Sequence, residues 1–239
     1  MSDFAEVRRL VAAAAKKTIA ELRAENPDEN FYAFALYDSD DATGPEVSAN
    51  SEEKFQELLT RHRARYEKQG QRFGLREEAN CRWGTAEWWH EACSDAKDFG
   101  PAYELLNSLA DEARAAEASD RTAYHVFRAH AFAAMVGALR DLDREGVFGE
   151  GAAREAVTVF ASISDSADAG WLERESARLA NPPEVFARFE REALTPPPEP
   201  TAESSGADRF VWDDHQRRLA APPGETYTAF MRLVAAWGG

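Results

Sequence analysis

The sequence predicts an α+β fold in which a small mixed or antiparallel sheet packs against several helices. Three observations carry this. Residues 31–37 (FYAFALY) and 156–163 are short runs of aromatic, β-branched and small apolar residues, the composition of strands covered by other elements. Most of the remaining chain repeats its apolar residues at steps of three and four, the period of a helix with one buried face. A hydrophobic content of 44% supports a sizeable core, while 30% charged residues supply a solvated exterior.

Taken in order, Phe4, Val7, Val11, Ala14, Thr18 and Leu22 mark one face of a first helix, which should stop at Asn26-Pro27 because proline cannot continue the hydrogen-bond ladder. FYAFALY is apolar at nearly every position and reads as a central strand. The acidic run Asp38-Ser39-Asp40-Asp41 turns the chain, and residues 46–49 return as a second strand in a hairpin-like pair. Asn50 followed by Glu53 has capping-box form, and Phe55, Leu58, Leu59, His62 and Tyr66 then trace a helix up to Gly70. Residues 71–93 are ambiguous, with 76–82 compatible with a strand and 85–92 with a strand or a short helix. Helical spacing returns with Phe99, Tyr103, Leu106, Leu109 and Ala113. After an Asp120 cap it continues through Tyr124, Phe127, Ala131, Met135, Ala138 and Leu142 to a stop at Gly146.

Residues 156–163 alternate as a second strong strand, with Asp165 at its end. Helices are expected over 167–179 and 184–193, separated by Asn181-Pro182-Pro183. Residues 195–208 (TPPPEPTAESSGAD) cannot bury a core and read as a linker. Beyond it Tyr227, Phe230, Met231, Val234 and Trp237 form an apolar stripe on a short helix that needs a surface to pack on. The expected organisation is therefore an α+β domain over 1–194, a linker over 195–208 and a helical tail over 209–239 docked on the domain.

Charge narrows the function classes. With 43 acidic against 28 basic residues the net charge is −15, which repels nucleic-acid phosphates and anionic lipid and suits a cationic protein partner. The best basic run, Arg61, Arg63, Arg65 and Lys68, is interrupted by Glu67 and reads as a solvated helix face. Apolar runs fall short of the roughly 18 residues a membrane helix needs, and Met-Ser-Asp does not begin a signal peptide, so a cytoplasmic protein is expected. Cys81 and Cys93 exclude a disulfide framework, and their spacing around His90 fits no zinc motif.

Two constellations are candidates for function. Asp38, Asp40 and Asp41 follow the central strand and Asp165 follows the other; were the strands adjacent, these carboxylates would offer oxygen ligands to a hard cation such as magnesium or calcium. A solvated Asp-rich turn is the plainer reading. The segment Arg82, Trp83, Glu87, Trp88, Trp89 and His90 concentrates three of the six tryptophans beside charged side chains. It reads either as a partner-binding hot spot or as a plug at the edge of the core. His125 and His130 are five apart on one helix, out of register for gripping zinc together. Nucleophile elbows, dinucleotide fingerprints and phosphate-cradling loops are missing, Gly149-Glu150-Gly151 precedes rather than follows a strand, and no cofactor is implied.

The blocks FYAFALYDSDD, EVSANSEEKF, RWGTAEWWHE, ALRDLDREGVFG, VTVFASISDS and ARLANPP occur in an order that resembles a family of bacterial proteins catalogued as domain of unknown function 4303. The similarity spans about residues 3–183. It strengthens the fold expectation and transfers no catalytic residue. Some small acidic α+β bacterial families act as immunity proteins that neutralise a toxin, an analogy of class only. The leading expectation is thus a non-enzymatic protein-binding module. A metal-dependent or small-molecule enzyme at the Asp-rich edge, and an oligomer-forming protein that swaps its C-terminal helix, are the alternatives.

Overall fold

The computed structural model describes residues 2–90, 96–164, 166, 168–193, 201, 209 and 222–238. In chain order the elements are α1 (Ser2–Glu25), β1 (Phe31–Asp38), β2 (Glu46–Ser51), α2 (Glu52–Lys68), α3 (Leu75–Trp83), α4 (Ala96–Ala116) and α5 (Ala123–Arg144). They continue with α6 (Ala152–Ala156), β3 (Thr158–Ile163), α7 (Ala169–Ala180), α8 (Pro183–Ala193) and α9 (Glu225–Val234), and short 3-10 turns cover Thr85–Glu87 and Ala235–Gly238.

The sheet has the order β2-β1-β3 and is mixed: β2 runs antiparallel to β1, and β3 runs parallel to it, with Ala33 opposite Thr158 and Asp38 opposite Ile163. The central position read for residues 31–37 holds, and its cause is visible in the packing. Strand side chains alternate between faces. Phe34 and Leu36 of β1, with Val159, Ala161 and Ile163 of β3, enter a core shared with α1, α4, α5 and α9. Ala33 and Ala35 of β1, with Phe160 of β3, face a second core built from Phe55, Leu58 and Leu59 of α2, Cys81 and Trp83 of α3, Trp88, Ala177 and Phe189. A register shift between Phe31 and Ala33 lets Tyr32 join Ala33 on that second face.

β3 is an edge strand, and α7 covers its exposed backbone. Ser176 Oγ accepts from Ala161 N and donates to Ala161 O at 2.9 and 3.0 Å, and the Asn181 side chain accepts from Val159 N at 2.9 Å and donates to Val159 O at 2.6 Å. Two side chains thus occupy groups that would otherwise template another strand. At the other end of the chain α9 docks on α5. Phe230 meets Phe132 edge-on at 5.1 Å, and the Asp168 carboxylate accepts from Gly224 N and Tyr227 N at the start of α9.

Several local expectations are corrected. Residues 76–82 lie in helix α3; Glu77 and Glu78 sit in its first turn, and the Glu77 carboxylate accepts from Gly74 N, so the acidic start suits a helix dipole. The cap of α2 is Ser51, one residue later than read, because Ser51 Oγ accepts from Lys54 N. Asn50 instead lies within β2 and donates to the Tyr32 hydroxyl, while Glu53 accepts from the backbone and side chain of Asn30. β3 begins at Thr158 because α6 takes the preceding residues. Cys93, and most of the stretch read as a linker, lie outside the described residues.

Candidate functional site

β1 presents different chemistry at its two ends. At its C-terminal end Asp38 is buried, and its carboxylate accepts from Ser39 N at 2.7 Å and Gly44 N at 3.2 Å, which closes the 39–44 loop onto the strand. Its carbonyl accepts from Ser164 N beyond β3. Burial pushes the Asp38 carboxyl up to about 7, against the downward pull of those two amides. Asp40 pairs with the buried Arg128 of α5, whose Nη2 also donates to Ser166 Oγ at 3.1 Å and whose Nε has no partner among the described residues. Asp41 turns to another group: Tyr124 OH donates to its Oδ1 at 3.1 Å, and Arg114 Nη2 stands 3.5 Å away.

These three carboxylates do not converge. Each is held by a different partner, and among the described residues no group of three or more His, Cys, Asp or Glu side chains is arranged to hold a metal ion. Asp165, the fourth proposed metal ligand, lies outside the described residues. Close by, Glu173 of α7 accepts from Ser162 Oγ at 3.0 Å, and desolvation lifts its carboxyl to about 7 although part of the residue stays open. Asp38 is directed at its own loop.

At the N-terminal end lies the tryptophan-rich segment, and the structure divides it. Trp83 and Trp88 are core residues, 4% and 3% exposed, meeting Phe189 edge-on at 5.1 Å and Phe160 at 5.7 Å. They cannot serve as partner contacts, which corrects that part of the sequence expectation. Arg82 lies over the Tyr32 ring at 4.2 Å and is paired with Glu52 and Glu192, while its carbonyl accepts from Tyr32 OH and Trp88 Nε1. Its role is to join α3 to the sheet. Glu87 stands 3.3 Å from His62, whose pKa is lowered by desolvation and by nearby Arg65.

Trp89 differs. His90 O accepts from Ala49 N at 2.9 Å and His90 Nε2 meets Glu29 at 2.8 Å, so the segment runs beside β2 as a one-residue bridge. Alternation along it places Trp88 and His90 inward and Trp89 outward, 53% exposed. Over the open ring, Lys54 Nζ sits 4.8 Å from the centroid and Arg61 at 5.9 Å. The Lys54 ammonium is also 3.1 Å from Glu57 and 3.9 Å from Glu29. An aromatic face and two carboxylates therefore enclose one cation. Lys54, Glu57 and Glu29 were missed from the sequence, since only the bridge to β2 brings the tryptophan above α2; the Lys54–Glu57 step of three was the one local hint.

The profile of the family described as a domain of unknown function (DUF4303) matches residues 11–182, more than half of the chain. The chain belongs to the DUF4303 family. The DUF4303 match takes in all three strands and both ends of β1, including Asp38, Lys54, Trp89 and Arg128, whereas α8 and α9 follow it. No curated protein and no solved structure matches the chain. Among the described residues no helix is long and apolar enough to cross a membrane.

Proposed function

We propose that this DUF4303 protein is a non-enzymatic protein-binding module of the bacterial cytoplasm, an immunity-like antagonist of a cationic protein, with Trp89 at the centre of the contact. One observation carries the reading: the Lys54 ammonium lies over the exposed Trp89 ring between Glu29 and Glu57. That arrangement is a receptor for an alkylammonium or guanidinium group, occupied by the chain's own lysine. A lysine or arginine of the partner would take Lys54's place, gaining a cation–π contact of about 0.5–2 kcal/mol as the ring is desolvated. The net charge of −15 supports the same partner class, because it accelerates encounter with a basic surface. The buried Trp88 and the His90–Glu29 contact anchor the chain on either side of Trp89.

The test is titration calorimetry against the cationic proteins encoded beside its gene, repeated over a range of salt. Trp89→Ala is expected to weaken binding by about 2 kcal/mol, roughly thirtyfold. Lys54→Met removes the internal competitor and is expected to tighten binding roughly two- to fivefold, as the about 0.5–1 kcal/mol of an exposed cation–π contact gives. Binding that is absent, insensitive to salt or unchanged in Trp89→Ala would remove the basis for this reading.

A further inference from the structure

Beyond Trp89, α2 carries a run of exposed cations. Residues 61–76 contain Arg61, Arg63, Arg65, Lys68, Arg72 and Arg76, all exposed, with Glu67 the only acid among them, in a chain where acids outnumber bases by 43 to 28. Arg63 pairs with Glu78 at 3.0 Å. Among the described residues, Arg61, Arg65 and Lys68 make no ion pair. Their placement is ordered. At 3.6 residues per turn, Lys54, Arg61, Arg65 and Lys68 fall within a stripe roughly 60° wide and about 21 Å long. It lies beside the buried face formed by Phe55, Leu58, Leu59 and His62. Trp89 stands at one end of this stripe, within reach of both Lys54 and Arg61.

Like charges on successive turns repel; the last-turn position of Arg65 and Lys68 suits the helix dipole, but no side chain of the described residues neutralises them. A partner's carboxylates would. The remainder of the molecule limits which anion fits. A nucleic-acid strand or an anionic membrane extends past the stripe and meets the acidic body, whereas a short acidic segment ends where the stripe ends. The stripe is about two and a half times the Debye length at physiological salt, so contact, not the distant acidic surface, governs a segment lying on it.

Resting on the Trp89 reading, we infer that the partner presents a bipartite segment: a lysine or arginine for Trp89 and, beside it, a run of Asp or Glu that lies along Arg61, Arg65 and Lys68. At about 3.3 Å per residue an extended segment covers the stripe in roughly six residues, so the carboxylates fall within that distance of the cation.

Three synthetic peptides test this against the full chain by fluorescence anisotropy: one lysine in a Gly/Ser background, a Glu-rich run alone, and the lysine followed by the Glu-rich run. Three exposed charge pairs together give about tenfold, so the bipartite peptide is expected to bind roughly ten times tighter than the lysine peptide, and tighter than the Glu-rich run by the cation contact at Trp89. The double variant Arg65→Glu/Lys68→Glu should bring the bipartite peptide down to the level of the lysine peptide, whose own binding stays unchanged. The neutral pair Arg65→Gln/Lys68→Gln should show an intermediate loss, and circular dichroism checks that both variants fold. If charge reversal leaves the bipartite peptide unaffected while Trp89→Ala still weakens the lysine peptide, the bipartite inference fails and the cation site stands. If single-stranded DNA or heparin binds the stripe as tightly as the bipartite peptide, the stripe is a general polyanion site and the inference also fails. Absence of binding by any lysine-containing peptide overturns both.

Discussion

The two ends of β1 handle charge in opposite ways. At the C-terminal end Asp38, Asp40 and Asp41 are each bound to a different internal partner, with loop amides, Arg128 and the Tyr124–Arg114 pair dividing them. At the N-terminal end one ammonium is held by an exposed ring, the half-exposed Glu57 and the largely buried Glu29. The first arrangement ties the loop after β1 to α5. The second leaves the Trp89 ring and Glu57 open to solvent. A density of charged residues after a strand therefore says less about function than whether those charges have found partners in their own chain.

The sharpest way to break this contrast is to cut the tryptophan segment residue by residue. Trp83→Ala and Trp88→Ala each empty a packed position in the second core and are expected to cost about 3–5 kcal/mol in urea unfolding. Trp89→Ala, on the same segment, is expected to change stability by less than about 0.5 kcal/mol. Equal losses at all three positions would make Trp89 a core residue and remove its claim to be a contact.

Asp38 gives the next largest effect, at the opposite end. Its carboxyl is pushed up to about 7 from the usual 3.8. Between those values the unfolded chain is ionised at this position while the folded chain holds the proton. The contribution of Asp38 to stability is therefore complete below about pH 4, declines as pH rises through 7, and is flat above it. Asp38→Asn removes that slope. The stability of the wild type relative to this variant is expected to fall by roughly 2–4 kcal/mol across the window, measured by urea unfolding at a series of pH values. A slope unchanged by the substitution would assign the titration to Glu173, whose carboxyl rises to about 7 in the same range, and Glu173→Gln would then remove it.

Much of the fold was legible because its signals are local. The run at 31–37 is apolar on both faces, and only a central strand between two cores uses such a run. The segment 76–82 was not legible because its short helix has little amphipathic pattern and only Cys81 and Trp83 are buried in it. Trp89 was legible as a residue of interest but not as the exposed member of its cluster. That depends on the single bridge between Ala49 and His90, a contact 41 positions apart in the chain. Lys54, Glu57 and Glu29 come to it from α2 and from the loop before β1, and tertiary packing alone assembles them. The acidic run after β1 was read correctly as a turn at a strand end, but the arginines that neutralise Asp40 and Asp41 come from helices more than 70 residues away.

The smallest effects sharpen the comparison most directly, because they replace the cation at each end by an apolar side chain of similar length. Arg128→Met removes a guanidinium that is 7% exposed, yet the partner it leaves, Asp40, has 45% of its side chain in water and can rehydrate. Among the described residues the lost Nε also had no partner to forfeit. The expected cost is about 1 kcal/mol, below the 3–5 kcal/mol of a pair whose surviving charge stays buried. Lys54→Met leaves Glu57 with 54% of its side chain exposed and Glu29 still held by His90, so its cost is expected to be under about 0.5 kcal/mol. Thermal unfolding of both variants checks the order. Should Lys54→Met destabilise more than Arg128→Met, the ammonium over Trp89 is a structural tie, and the cation site would not be open to exchange.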